Sequence, residues 1–247
     1  MERRLEWEGC LNVRDLGGHP TEDGGETRTR AVVRADSVRR LTPAGWEALV
    51  EYGIRRIVDL RLASELDEDA PAEVPVEVVH VPFFEDVSLD KQIEIAERWL
   101  SAPDDVSATR DGYLEMLDTY RANVAAAVSA VARAPEGGVL IHCMGGKDRT
   151  GLIAALLLRL AGVPVPDIAD DYGLSSENIK PLWQQWVDDA GGDAERELRR
   201  RLSASPAEAM TQVLETLERE HGSVDSYLRS AGVSQEEVEL ARSRMRP

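Results

Sequence analysis

The sequence predicts an α/β fold, with a central, mostly parallel sheet flanked by helices and a helical C-terminal third. Three observations carry that prediction. Four short runs rich in β-branched residues, at 30–34, 54–60, 76–81 and 138–141, are bounded by turn or polar residues, as buried strands are. Helical patterns lie between them, and helices alternating with buried strands imply parallel pairing through right-handed crossovers. From Pro164 onward the chain carries helical patterns alone.

In chain order, NVRDLGG at residues 12–18 has the composition of a turn in which Arg14 and Asp15 brace neighbouring backbone; with Asn12 they read as structural, and proximity to the loop at 143–149 is the alternative. After the strand at 30–34, Thr42 and Pro43 read as the N-cap and first turn of a helix through AGWEALVEYG, with Gly53 as its stop. Beyond the strands at 54–60 and 76–81, residues 83–111 hold a helical stretch at 90–100 flanked by proline and aspartate. A helical surface insertion is the simpler reading of that region, and a lid over a pocket mouth is the other. GYLEMLDTYRANVAAAVSAVARAPEGG, from Gly112, reads as one long helix ended by Pro135 and the glycines. The strand at 138–141 then enters a loop at 143–149 and a helix at 150–162. The tail adds ENIKPLWQQWVDDA, DAERELRRRLSA, SPAEAMTQVLETLEREHG and VSQEEVELARSRM. With neither an internal repeat nor a low-complexity linker, residues 1–247 are expected to form one domain, 164–247 being its helical part.

The chain is 43% hydrophobic, enough for an ordinary buried core. Acidic residues outnumber basic ones 46 to 29, and the formal net charge of −17 argues against nucleic acid or an anionic membrane as partner. Any anion site must be built locally against that field. Two cysteines, Cys10 and Cys143, are too few for a disulfide framework and point to a reducing compartment. The N-terminal stretch lacks the apolar core of a signal peptide, and the longest apolar run, 152–163, is interrupted by Arg159 and too short to span a bilayer. A cytoplasmic protein with no transmembrane segment is the expectation, with the oligomeric state left open. His19, His80 and His221 have no metal-ligand spacing, so no metal is expected. His80 reads as a satisfied strand residue, His221 as a helix end, and Trp183 and Trp186 as core packing on a helix.

The chemistry concentrates in VLIHCMGGKDRTG, residues 139–151. A tight loop between strand end and helix start aims backbone N–H groups, here those of Met144, Gly145, Gly146 and Lys147, at one point, and the helix macrodipole adds positive potential. In open α/β sheets ligands bind at that end of the strands. Gly145 and Gly146 permit the wrap and leave room for close approach. Such a site is shaped for a tetrahedral oxyanion such as phosphate. Cys143 opens the loop, where the same donors stabilise a thiolate nucleophile. Arg149 returns at the first helical turn, where its planar fork can clamp two phosphate oxygens.

This Cys-x5-Arg arrangement, preceded by His142 and followed by Thr150, resembles the signature of cysteine-dependent protein tyrosine phosphatases. HCMGGKDRTG, with NVRDLGG at 12–18 and VDLR at 58–61, is similar more narrowly to bacterial tyrosine phosphatases of the mycobacterial protein tyrosine phosphatase B type, an atypical group with dual-specificity and lipid phosphatase activity. DDYGLSSENI and HGSVDSYLRSAGVSQEEVELAR extend the resemblance over essentially the whole chain. It implies a cysteine-phosphatase-like layered domain, a phosphorylated protein or phospholipid substrate, a phosphocysteine intermediate and no cofactor. It also implies that His142 orients the loop and tunes the thiolate, that the Thr150 hydroxyl helps the cysteine leave, and that Asp148 is the general acid.

The acid is the open position. Many tyrosine phosphatases carry an aspartate beside tryptophan and proline on a separate loop, and no WPD stands here. Besides Asp148, the residues offer Asp59, at a strand end on the ligand side, and Asp86, within 83–111. Asp59 reads better as a hydrogen-bond or salt-bridge support of the loop. Asp148 itself could instead brace the loop through Arg149 or backbone N–H groups. Lys147 has two readings, a contact to a second anionic group of the substrate or a solvent-exposed lysine. Against the phosphatase stand a sulfurtransferase, whose cysteine loop needs no RTG ending, and a non-catalytic phosphate-binding module, which usually lacks the cysteine or the arginine. A redox sensor, resting on thiolate oxidation, is a variant of these.

Overall fold

A computed structural model of the chain describes residues 3–67, 74–85 and 88–247. Among them, strands β1 (Arg14–Asp15), β2 (Val32–Ala35), β3 (Ile54–Asp59), β4 (Glu77–His80) and β5 (Gly138–His142) form one sheet in the order β1-β2-β5-β3-β4. Strands β2, β5, β3 and β4 are parallel, and β1 is antiparallel to β2. The central strand, β5, is buried throughout. A strand covered on both faces needs an unbroken apolar run, which Val139, Leu140 and Ile141 supply. Successive side chains alternate between two cores: Val32, Val58, Val139 and Ile141 face one, and Val33, Ile57 and Leu140 face the other.

The second core is covered by α1 (Pro43–Tyr52). Its N-cap Thr42, Pro43 at the first turn and left-handed Gly53 stand where the sequence predicts them. The first core is covered by α5 (Arg121–Ala132) and α6 (Asp148–Leu160). The C-terminal helices α9 (Ala207–His221), α10 (Val224–Ala231) and α11 (Gln235–Met245) add Met210, Leu214, Leu228 and Val238 to that same core. The helical tail predicted beyond Pro164 is completed by α7 (Val165–Asp188) and α8 (Asp193–Ser203). No helix among the described residues is long and apolar enough to cross a membrane.

Four elements depart from the sequence reading. Residues 14–15, read as part of a turn, form β1, because Arg14 and Asp15 pair with Arg34 and Val33. The run at 76–81, read as a buried strand, is an edge strand with Val78 45% exposed, covered by a partner on one side alone. The single long helix expected after Gly112 is two: α4 (Asp105–Thr119) and α5, broken at Tyr120, whose φ of −107° and ψ of 28° leave the helical range. The break has a tertiary cause, since the Tyr120 ring packs on Phe84 at 5.6 Å and Asn123 donates to the Phe83 carbonyl. Finally, α6 begins at Asp148 instead of Thr150, which brings both Asp148 and Arg149 into its first turn.

Residues 83–111 contribute α3 (Leu89–Ser101) and the start of α4, whose N-cap Asp104 accepts from the Ser107 amide. Helix α3 packs on α4 and α8 through the buried Trp99 and leaves Leu89 and Ile93 exposed. A cavity of about 640 Å³ lies there, lined by Phe84, Ile95, Trp99, Met116 and Tyr120 among others.

Candidate active site

Three strand ends set the site. His142, the last residue of β5, is the register partner of Ala35 on β2 and of Asp59 on β3. Beyond it the chain turns through residues 143–147 and enters α6, so the helix N-terminus faces the same point as the strand ends. Cys143 is 2% exposed at the start of this turn, and both Cys143 and Cys10 are free thiols.

Three successive carbonyls of the loop, those of Met144, Gly145 and Gly146, are bonded to neighbouring segments. The Met144 carbonyl accepts from the Ser37 amide at 3.0 Å and from Arg40 Nη2 at 3.2 Å. Asn12 Nδ2 donates to the Gly145 carbonyl at 3.0 Å, and Arg34 Nη2 to the Gly146 carbonyl at 2.8 Å. Peptide planarity then turns the N–H groups of Gly145, Gly146 and Lys147, which share those peptide planes, to the opposite side. The two loop glycines have distinct reasons. Gly146 takes φ 63°, and a Cβ there would lie 2.3 Å from the Ala35 carbonyl oxygen. A Cβ at Gly145 would lie 2.8 Å from Cζ2 of Trp183. The indole of Trp183, predicted to be core packing, therefore lies against the loop and is half-exposed on α7.

Beneath the loop lies a buried charge cluster. Asp171 on α7 is fully buried and accepts from Arg14 Nε at 3.0 Å, Arg34 Nη1 at 2.7 Å and Arg3 Nη1 at 3.0 Å. Burial works against its charge, yet the arginines hold its carboxyl well below the ordinary carboxylate range. Burial and the neighbouring Arg34 pull Arg14 down to about 10. Arg14 Nη1 also donates to Asn12 Oδ1 at 2.6 Å, which aims the Asn12 amide at Gly145. Arg14 thus reaches the loop through Asn12, the alternative the sequence left open. Asp15 instead accepts from the Gly17 and Arg30 amides and from the Tyr52 hydroxyl.

Arg149 meets Glu65 on α2 (Ala63–Asp67) in a bidentate pair, Nη1 to Oε2 at 2.5 Å and Nη2 to Oε1 at 2.9 Å. The Phe84 ring lies under the guanidinium at 5.3 Å. Burial disfavours the Arg149 charge, but Cys143 and Glu65 outweigh it and hold the group above its ordinary range. Sequence reasoning missed Glu65. Its only signal is its place just past the C-terminal end of β3, on the ligand side of the sheet.

Asp148 accepts from the Tyr113 hydroxyl at 2.5 Å, through Oδ1, and the Lys147 ammonium lies 3.1 Å from that same oxygen. Lys147 is 1% exposed, which rules out the solvent-exposed reading; its other partners are the carbonyls of Leu202 and Ala204 at 2.5 and 2.7 Å. Two hydrogen bonds and one ion pair thus engage the ammonium between the loop and the α8–α9 connection. His142 is buried, its Nε2 3.5 Å from Asp59 Oδ2 and its Nδ1 3.3 Å from the Cys143 carbonyl. Burial lowers its pKa, with Asp59 opposing. Asp59 holds Arg61 at 2.8 Å, and His142 and Arg61 lower its pKa against its burial. Thr150 Oγ1 is buried with no hydrogen-bond partner among the described residues. Asp86 lies outside the described residues, and among these no cluster of three or more His, Cys, Asp or Glu side chains could hold a metal ion.

A family model described as tyrosine phosphatase family matches residues 5–246. A tyrosine-protein phosphatase from Nostoc commune is 30% identical over 223 residues, covering 87% of this chain and 74% of that protein. The triple specificity protein phosphatase PtpB of Mycobacterium tuberculosis is 28% identical over 274 residues, covering 95% and 96% respectively. Because the match runs from β1 through the loop to α11, taking in every element that braces the site, the chain belongs to the tyrosine phosphatase family.

Proposed function

We propose that the protein is a metal-independent, cysteine-dependent phosphatase acting on protein phosphotyrosine, with phosphoserine, phosphothreonine and phosphoinositides as the wider range; a relative named a triple specificity protein phosphatase supports a range beyond one kind of phosphoester. In the first step the Cys143 thiolate attacks phosphorus in line. The S–P bond forms as the ester P–O bond breaks, and Asp148 gives its proton to the leaving oxygen. In the second, water deprotonated by Asp148 attacks the phosphocysteine and releases phosphate and the thiolate. The amides of Met144, Gly145, Gly146 and Lys147 with Arg149 stabilise the equatorial oxygens. Thr150, whose buried hydroxyl has no partner among the described residues, donates to the departing sulfur.

One observation carries this reading: the carbonyls of Met144, Gly145 and Gly146 are each bonded away from the concavity, which leaves the loop's N–H groups to an anion. A sulfurtransferase would have no use for a clamp such as Arg149 held in a bidentate pair. The test is phosphate release from a phosphotyrosine peptide, a phosphoserine peptide and short-chain phosphoinositides, in EDTA, by wild type and Cys143→Ser. Release by wild type alone, fastest from phosphotyrosine, is expected. Equal release by Cys143→Ser, or none by either, would sink the reading.

A further inference from the structure

We propose that Tyr113 is a positioning residue for the leaving-group acid: it fixes Asp148 by one carboxyl oxygen and leaves the other to the substrate. The inference rests on the reading of Asp148 as general acid. Both contacts on that carboxyl, Tyr113 Oη at 2.5 Å and Lys147 Nζ at 3.1 Å, fall on Oδ1. Among the described residues Oδ2 has no hydrogen-bond partner, although the side chain is 38% exposed and near Arg149. A carboxylic acid anchored in this way carries its proton on the unanchored oxygen, because Oδ1 is already engaged as an acceptor.

The donor is built to stay a donor. Tyr113 is fully buried on α4, and burial together with the Asp148 charge pushes its phenol well above the ordinary range. Its oxygen also lies 2.8 Å from the hydroxyl of Tyr172 on α7. Tyr113 has one proton and gives it to Asp148, so Tyr172 must donate to Tyr113. The resulting chain, Tyr172 to Tyr113 to Asp148, points every proton toward the carboxyl. Tyr172 is itself buried and held protonated by burial and the Asp148 charge, and follows Asp171, the residue that holds Arg34 and the loop. Among the described residues, the ionisable groups around the carboxyl include Lys147, Arg149, Tyr113 and Tyr172.

As the ester bond breaks, its electron pair passes to the leaving oxygen, which takes the proton from Oδ2. The carboxylate left behind keeps the Tyr113 hydrogen bond on Oδ1, where the new charge is shared. Contacts that strengthen as charge develops lower the barrier, and they do so most for poor leaving groups, which need the proton earliest.

The test measures kcat/KM for 2,4-dinitrophenyl phosphate and phenyl phosphate with wild type, Tyr113→Phe, Tyr172→Phe and Asp148→Asn, with thermal midpoints alongside. Tyr113→Phe keeps the ring and removes the hydroxyl. It is expected to lose about 10- to 50-fold on phenyl phosphate and less than about threefold on the dinitrophenyl ester, a smaller copy of the roughly 100-fold or greater selective loss in Asp148→Asn. Tyr172→Phe retains the donor and should show little leaving-group dependence. A Tyr113→Phe loss that is equal on both esters, or absent on both, while Asp148→Asn is selective, would overturn the positioning role and leave the acid assignment intact. Equal losses in Asp148→Asn would instead remove the acid assignment and the proposal with it.

Discussion

Arg149 has five N–H donors, and Glu65 takes one from each of Nη1 and Nη2, the end of the guanidinium. The side edge, Nε–H and the second Nη2–H, is the one the proposed function assigns to phosphate. Phe84 under the plane fixes the remaining rotation. Glu65 is therefore expected to act on kcat through the orientation of Arg149. In steady-state assays with a phosphotyrosine peptide, Glu65→Ala should lower kcat/KM by about 10- to 100-fold, since displacing a catalytic group by 1 Å costs on that order. Glu65→Asp, which keeps the charge but shortens the reach, should recover little of it. An unchanged rate in Glu65→Ala would mean that Arg149 holds its orientation without the pair.

The loop at 143–147 as an element is a backbone device, and its shape is set by neighbours on three other segments. Arg34 on β2, Asn12 before β1 and Ser37 after β2 each bind one outward carbonyl. Gly146 closes the turn at φ 63° against the Ala35 carbonyl. Alanine at 146 would be strained by that φ and would meet the β2 backbone, so the loop must move. Gly146→Ala should therefore lose about 100-fold or more in kcat/KM. Far-UV circular dichroism should remain that of the wild type, because the loop contributes little regular structure. Activity within a fewfold of wild type would show that the loop adapts.

At the scale of the whole molecule, Asp171 ties α7 to β1, β2 and the N-terminal Arg3. Replacing it by asparagine leaves Arg14 and Arg34 buried without a counter-charge, a loss of about 3–5 kcal/mol by urea unfolding at neutral pH. Its folded pKa lies well below the unfolded value of about 3.9. The stabilisation it supplies is thus fully present above that unfolded value and lost as pH falls toward the folded one. The stability gap between wild type and Asp171→Asn should accordingly be constant from about pH 7 to 5 and shrink below about pH 4. A gap independent of pH down to acid unfolding would place the ionised form elsewhere in the cluster.

What was legible in the chain is what lies contiguous in it. The strand periodicity, the Thr42-Pro43 start and the Gly53 stop, and the succession of His142, Cys143, two glycines and Arg149 are local patterns whose physics acts between near neighbours. They settle the parallel sheet and the loop at its centre. Glu65, Tyr113 and Asp171 stand 84, 35 and 137 positions from the residues they hold, Arg149, Asp148 and Arg34, and nothing in their local sequence marks them. The same holds for Tyr120, where packing on Phe84 breaks a helix that propensity alone would continue, and for Lys147, whose burial depends on where the α8–α9 connection falls. A side chain's type and spacing determine what chemistry it could do. Its partners, and so its orientation and charge state, are decided only when distant segments pack together and water is excluded between them.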